Sequence, residues 1–167
     1  TYAAGGRYPD FREPGRFLSM SQGFGYGVRT RASGGVGMLC DRSGDDAYEV
    51  DYFGQGGGFW GATGILLDES GNDRYEARRY AQGSGSHLAV GLVIDSAGDD
   101  EYRAGGVGQG CGHDLSVGIL LDGAGADRYA AEWLSQGAGS ANGIGILLDE
   151  AGEDIYTAVR DDTRGYG

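Results

Sequence analysis

The chain has 167 residues, 36 of them Gly and only 2 Pro, with 25 acidic against 13 basic side chains and a formal net charge of −12. Sequence-independent affinity for nucleic acid or anionic membranes comes from excess Lys and Arg, so this balance argues against nucleic acid as a partner. Glycine far above its usual ~7 % suggests collagen or low complexity, but 40 % hydrophobic residues and 11 Tyr mark a chain with a core.

In chain order, the opening "TYAAGG" resembles the close of a repeat unit found further on, "RYAAEW". The stretch from Gly6 to Leu18 breaks the pattern and holds both prolines, so residues 1-20 are read as an irregular N-terminal segment or cap. From Gln22 the chain repeats. The segment "GMLCDRSGDDAYEV" from Gly37 returns as "GILLDESGNDRYEA" from Gly64, "GLVIDSAGDDEYRA" from Gly91, "GILLDGAGADRYAA" from Gly118 and "GILLDEAGEDIYTA" from Gly145, a period of 27. A second landmark, Gln-Gly, stands at Gln22, Gln55, Gln82, Gln109 and Gln136; the first unit carries about six extra residues around Arg29 to Gly34. Residues 21-160 thus make five units, and 161-167, ending "RGYG", resemble the start of a further coil or form a C-terminal tail. Both ends fit a piece of a longer array as well as a capped one. No run approaches the ~18 apolar residues of a membrane span, and no charged-then-apolar leader opens the chain.

Each unit has a short β-type run, a turn rich in Asp and Gly, then Tyr with a small residue two positions on. None offers the ~10 to 12 residues of 3.6-period patterning that a helix needs. Short strands at fixed spacing predict an all-β, three-sided, right-handed parallel β-solenoid in which each unit is one coil. Five coils at about 4.8 Å stand roughly 24 Å tall, and equivalent positions stack into columns. The Tyr column (Tyr48, Tyr75, Tyr102, Tyr129, Tyr156) and the small residues Val50, Ala77, Ala104, Ala131 and Ala158 form an inner layer. Three successive apolar residues such as Ile65, Leu66 and Leu67 predict a strand covered on both faces, by a neighbouring chain, a domain or a folded-back segment. The Gln column is expected to form an amide ladder.

Two Asp columns carry the sharper signal: Asp41, Asp68, Asp95, Asp122 and Asp149 in one, Asp46, Asp73, Asp100, Asp127 and Asp154 in the other. Stacking brings like carboxylates to about 5 Å, a repulsion of about 1 kcal/mol in water and roughly 3 to 4 kcal/mol at an effective dielectric of 20. A cation accepting hard oxygens, Ca²⁺ above all, relieves it. The competing reading has each Asp capping turn amides, with Arg42, Arg74 and Arg128 supplying charge. The stretches "GDDAY", "GNDRY", "GDDEY", "GADRY" and "GEDIY" resemble the latter half of the RTX (haemolysin-type) calcium-binding nonapeptide, one GxDxY half-motif per unit. The resemblance implies that Asp46, Asp73, Asp100, Asp127 and Asp154 match that family's carboxylate ligand and each Tyr its inward apolar position. The family's leading Gly-Gly is missing apart from Gly123, and one side of three carries the motif.

Stacking also places His87 in a column with Trp60 and Asp114, and His113 in the next with Phe59, Ser86 and Ser140. If that segment is a loop rather than a strand, His87, His113 and Asp114 cluster into a surface site for a transition metal or acid–base chemistry. Cys40 and Cys111 lie some 12 Å apart along the axis on the same spacing, too far for a disulfide, and are expected as free, packed thiols. The stretch after each Tyr varies most, for example Asp51, Tyr52, Phe53 against Arg78, Arg79, Tyr80, and is a recognition surface if it faces solvent. The sequence reads as a structural, assembly or adhesion module of an exported, extracellular or cell-surface protein, not an enzyme, with calcium in its turns. Its partners are a glycan, a protein, flanking repeats or its own copies end to end; the alternative is a carbohydrate-binding or carbohydrate-active β-helix.

Overall fold

The computed structural model of the chain describes residues 1–158, so the stretch read as a further coil or tail at 161-167 lies outside the described residues. In chain order the strands are β1 (Tyr2–Ala4), β2 (Gly25–Tyr26), β3 (Val36–Asp41), β4 (Ala47–Tyr52), β5 (Gly58–Phe59), β6 (Thr63–Asp68), β7 (Arg74–Arg79) and β8 (Gly85–Ser86). They continue with β9 (Val90–Asp95), β10 (Glu101–Ala104), β11 (Gly112–His113), β12 (Val117–Asp122), β13 (Arg128–Ala131), β14 (Gly139–Ser140), β15 (Ile144–Asp149) and β16 (Ile155–Ala158). Among the described residues there is no helix, and every coil contributes one strand to each of three parallel sheets.

The three sides are unequal. A tyrosine side runs β1-β4-β7-β10-β13-β16, an aliphatic side β3-β6-β9-β12-β15, and a short side of two-residue strands β2-β5-β8-β11-β14. The register is in step throughout: Asp41, Asp68, Asp95, Asp122 and Asp149 pair in sequence, as do Tyr2, Tyr48, Tyr75, Tyr102, Tyr129 and Tyr156. The opening "TYAAGG" therefore occupies a sheet position of its own, with Tyr2 opposite Tyr48. The additional residues of the first unit form a small excursion closed by a bridge between Val28 and Ala32.

Strand alternation sorts the side chains. On the aliphatic side Leu66, Val93, Leu120 and the terminal Asp of each strand point inward; on the tyrosine side the rings do. These two inner faces meet as one core of Tyr48, Leu66, Tyr75, Val93, Tyr102, Leu120 and Tyr129. Successive tyrosine rings stack with centroids 4.7–4.9 Å apart and planes within 7°, a spacing imposed by the strand repeat. The outward residues of the aliphatic side are apolar as well, and no described segment lies over them; Val36, Met38, Ile144 and Leu148 are exposed.

The segment from Gly6 to Leu18 is a clasp. Pro9 bridges Phe17, and the Arg12 guanidinium lies 5.0–5.4 Å from the ring centres of Tyr52, Phe53 and Tyr80 while ion-pairing with buried Asp10. Glu13 accepts from the Tyr52 hydroxyl at 2.7 Å and from Arg78 at 2.9 Å. In the variable stretch, Tyr52, Phe53, Val107 and Leu134 are buried, so these are core residues of a corner and not recognition groups. Cys40 and Cys111 are both free thiols; Cys111 is packed, its pKa pushed up to about 12 by burial, whereas Cys40 stands exposed on the aliphatic face.

Candidate metal centre

The two Asp columns flank one corner, where the aliphatic side turns into the tyrosine side. The first Asp ends its strand on the inward phase, and three residues later a Gly lets the next coil approach. At Gly98 a Cβ would sit 1.5 Å from the Gly71 carbonyl oxygen, so only Gly fits. The second Asp follows two residues on, and the strand bearing Tyr begins at once.

Each first-column carboxylate faces the tyrosine hydroxyls. Tyr2 donates to Asp41 at 2.7 Å, Tyr48 to Asp68 at 2.6 Å, Tyr75 to Asp95 at 2.7 Å and Tyr102 to Asp122 at 2.8 Å, in each case the Asp one coil on, while Tyr156 donates to Asp149 of its own coil at 2.8 Å. Spacing puts these rings in an inner layer but does not reveal the role of their hydroxyls, which only the choice of Tyr over Phe at every position signals. Asp41 and Asp68 also accept nearby turn amides, from Arg42 at 2.6 Å and Ser70 at 3.3 Å.

Second-column carboxylates build a ladder along the axis. The Asp46 amide donates to Asp73 at 2.6 Å, Asp73 to Asp100 at 2.6 Å, Asp100 to Asp127 at 2.7 Å and Asp127 to Asp154 at 3.0 Å, always through Oδ1. An outer ladder runs the other way, with the Asn72 amide donating to Asp45 at 2.9 Å and the Asp99 amide to Asn72 at 2.8 Å. The capping role is therefore real, but it uses only one oxygen of each inner carboxylate. The expected arginine compensation is absent: Arg74 pairs with Glu76 and Glu101, and among the described residues no Arg pairs with an Asp of either column.

What remains is a seam of buried oxygens that no amide, hydroxyl or guanidinium reaches: Oδ2 of Asp73, Asp100 and Asp127, and Oδ1 of Asp95, Asp122 and Asp149. Without a cation, the columns can satisfy one another only by sharing a proton, as between Asp73 and Asp68 or Asp127 and Asp122. Asp73, Asp95, Asp100, Asp122 and Asp127 are each no more than 2 % exposed. Burial and the neighbouring carboxylates push Asp73 from 3.8 to about 7, Asp95 to about 6, Asp100 to about 9 and Asp127 to about 7. Ligand atoms of Asp73, Asp95 and Asp100 lie within 4.8 Å of one another, as do those of Asp100, Asp122 and Asp127, and of Asp127, Asp149 and Asp154. Oxygens bound at 2.3–2.6 Å to one Ca²⁺ can stand up to ~5 Å apart across it, so each group can hold a metal ion. Seven of the ten candidate aspartates come together in this way; Asp41, Asp46 and Asp68, in the first two coils, join no such group among the described residues, Asp46 meeting the Thr1 amino group instead.

The chain matches no protein-family model, no curated protein and no solved structure.

The histidine cluster lies elsewhere, on the short side. His87 Nδ1 meets Asp114 Oδ2 at 2.6 Å, His113 Nδ1 meets Ser140 Oγ at 2.7 Å, and the two rings are 6.0 Å apart. Their shared outward direction has a backbone cause: His87 and Asp114 both take positive φ, 58° each, just beyond a two-residue strand, which breaks strand alternation. The bond to His87 holds the Asp114 carboxyl below its usual range, and burial beside His87 lowers His113. Phe59 and Trp60 complete the patch around His87 at 5.1 and 5.8 Å. The glutamine column differs from the expected amide ladder. Each Nε2 donates to two backbone carbonyls in adjacent coils, as Gln82 does to Tyr75 at 3.0 Å and Arg103 at 2.9 Å. The five glutamines reach these carbonyls from left-handed backbone, with φ between 46° and 54°.

Proposed function

We propose that this solenoid is a structural assembly module whose acidic seam takes up calcium, one ion per group of three aspartates shared between adjacent coils. The observation that carries the reading is the row of buried carboxylate oxygens left without a donor at Asp73, Asp95, Asp100, Asp122 and Asp127. A buried carboxylate that is neither paired nor protonated is strongly disfavoured. A hard divalent cation satisfies several at once, because Ca²⁺ takes six to eight oxygens in flexible geometry and tolerates carboxylates and carbonyls together. The half-motif that resembles RTX turns falls at this corner, which supports calcium over other hard cations.

An array held by calcium suits a compartment where calcium is plentiful, and the low-affinity range of extracellular modules reaches ~10⁻³ M; the reading thus favours an exported, surface-located spacer or adhesion element. Calorimetric titration and thermal melts test it. Calcium raising the melting temperature with saturable stoichiometry, and chelator lowering it, supports the seam as a metal site. An unchanged melting temperature in both directions at neutral pH replaces the cation with protons shared between neighbouring carboxyls.

A further inference from the structure

The outer face of the aliphatic side is the largest chemical feature that a calcium seam leaves unused. Its five strands present three outward columns. The central one is Met38, Ile65, Leu92, Ile119 and Ile146; the flanking ones, starting at Val36 and Cys40, are apolar at every position but Thr63. No charged side chain interrupts them. Exposure is greatest in the end coils, where Val36 is 72 % exposed, Met38 59 % and Ile144 58 %, while in the middle coils Ile65, Leu92 and Ile119 are half-buried between their column neighbours. Five strands of six residues cover roughly 24 Å by 20 Å, about 480 Å², a single patch in the ~300–600 Å² range of the largest apolar patch on a monomer, which is often a functional one.

We infer that this face is an interface between two copies of the chain, packed sheet to sheet. Two such faces bury about 1,000 Å² of flat area together, which is the lower bound for a specific interface. The surface also repeats at the coil spacing. A copy of the chain brings rows of aliphatic side chains at the same pitch, so that rows of one sheet settle into the gaps of the other at the ~10 Å separation of packed sheets. A twofold relation makes the patch complementary to itself. With the twofold along the solenoid axis, the strands of the two copies run antiparallel and the acidic seams go to opposite edges, which keeps the charge of −12 on each chain apart. A lipid surface fits less well, since the chain has no Lys and its net charge is repelled by anionic headgroups.

This inference deepens the assembly reading by naming the face that assembles, and it does not depend on calcium. Its test is the mass of the 167-residue chain by light scattering after gel filtration, over a wide concentration range, once in calcium and once in chelator, with circular dichroism to follow the fold. The expected result is twice the 17.4 kDa chain mass, and a monomer of unchanged β spectrum for Leu92→Glu combined with Ile119→Glu. Arg103→Glu, on the exposed tyrosine side, leaves the dimer intact. A dimer that persists in chelator supports the face even if the calcium reading fails. A wild-type monomer at every concentration overturns it, in favour of lipid if the chain sediments with phosphatidylcholine vesicles and of a different protein if it does not. A dimer unaffected by the double substitution, with the fold intact, overturns it too.

Discussion

Asp127 accepts the backbone N–H of Asp100, its counterpart one coil earlier, through Oδ1 at 2.7 Å, and leaves Oδ2 buried without a donor. Half of each inner carboxylate thus stitches the coils together while the other half demands a proton or a cation. The substitution Asp100→Asn separates these roles, because the amide oxygen still accepts from Asp73 and the charge is gone. In chelator at neutral pH the variant melts higher than the parent, because folding of the parent must bind a proton at this carboxyl, which is held up to about 9, and the amide needs none. In calcium it gains less than the parent and binds fewer ions, because Asp100 belongs to two of the three groups. Melting curves in both conditions check this reversal of order.

The raised carboxyl groups fix a pH dependence for the calcium-free chain. Asp95, Asp73, Asp127 and Asp100 hold protons up to about 6, 7, 7 and 9, against an ordinary 3.8. The folded state then binds more protons than the unfolded one, so their contribution is fully present below 3.8 and is lost as pH rises through these values. Stability in chelator is expected to fall between about pH 4 and pH 9, and calcium to add most at the alkaline end. Melts across that range, with and without calcium, measure it; a calcium effect that is largest at pH 4 contradicts the scheme.

Removing one tyrosine hydroxyl isolates its link to the seam. Tyr75→Phe keeps the ring stack and deletes the donor to Asp95 Oδ2, leaving a buried carboxylate less satisfied. The expected loss is about 1–3 kcal/mol in chelator, read by denaturant unfolding, and calcium shrinks it.

Gly98→Ala addresses the backbone. Its Cβ would meet the Gly71 carbonyl at 1.5 Å, so coils cannot close at this corner without shifting the ladder between Asp73 and Asp100. A drop in melting temperature far larger than that of Ala126→Gly, in the exposed part of a neighbouring turn, is the expected outcome, measured by circular dichroism.

The architecture was legible because parallel in-register stacking copies alignment into space: residues 27 apart, such as Asp68 and Asp95, are paired neighbours. The acidic corner was legible for the same reason. Contacts that depend on how a coil closes were not. That Tyr75 reaches Asp95, 20 residues on, follows from the angle between two sides. Gln82 turning its amide to the carbonyls of Tyr75 and Arg103 follows from a left-handed backbone at that residue, as does the outward meeting of His87 and Asp114. Spacing alone carries no information about either.

The strict 27-residue register also means that a coil is a unit of length. Excising Gly91 to Val117, one full period, would join equivalent backbone positions and bring the two ends about 4.8 Å closer, whereas removing one residue fewer would shift every later side chain off its column. Reach can thus be set in steps without changing the chemistry of any side, which makes the molecule a graduated ruler.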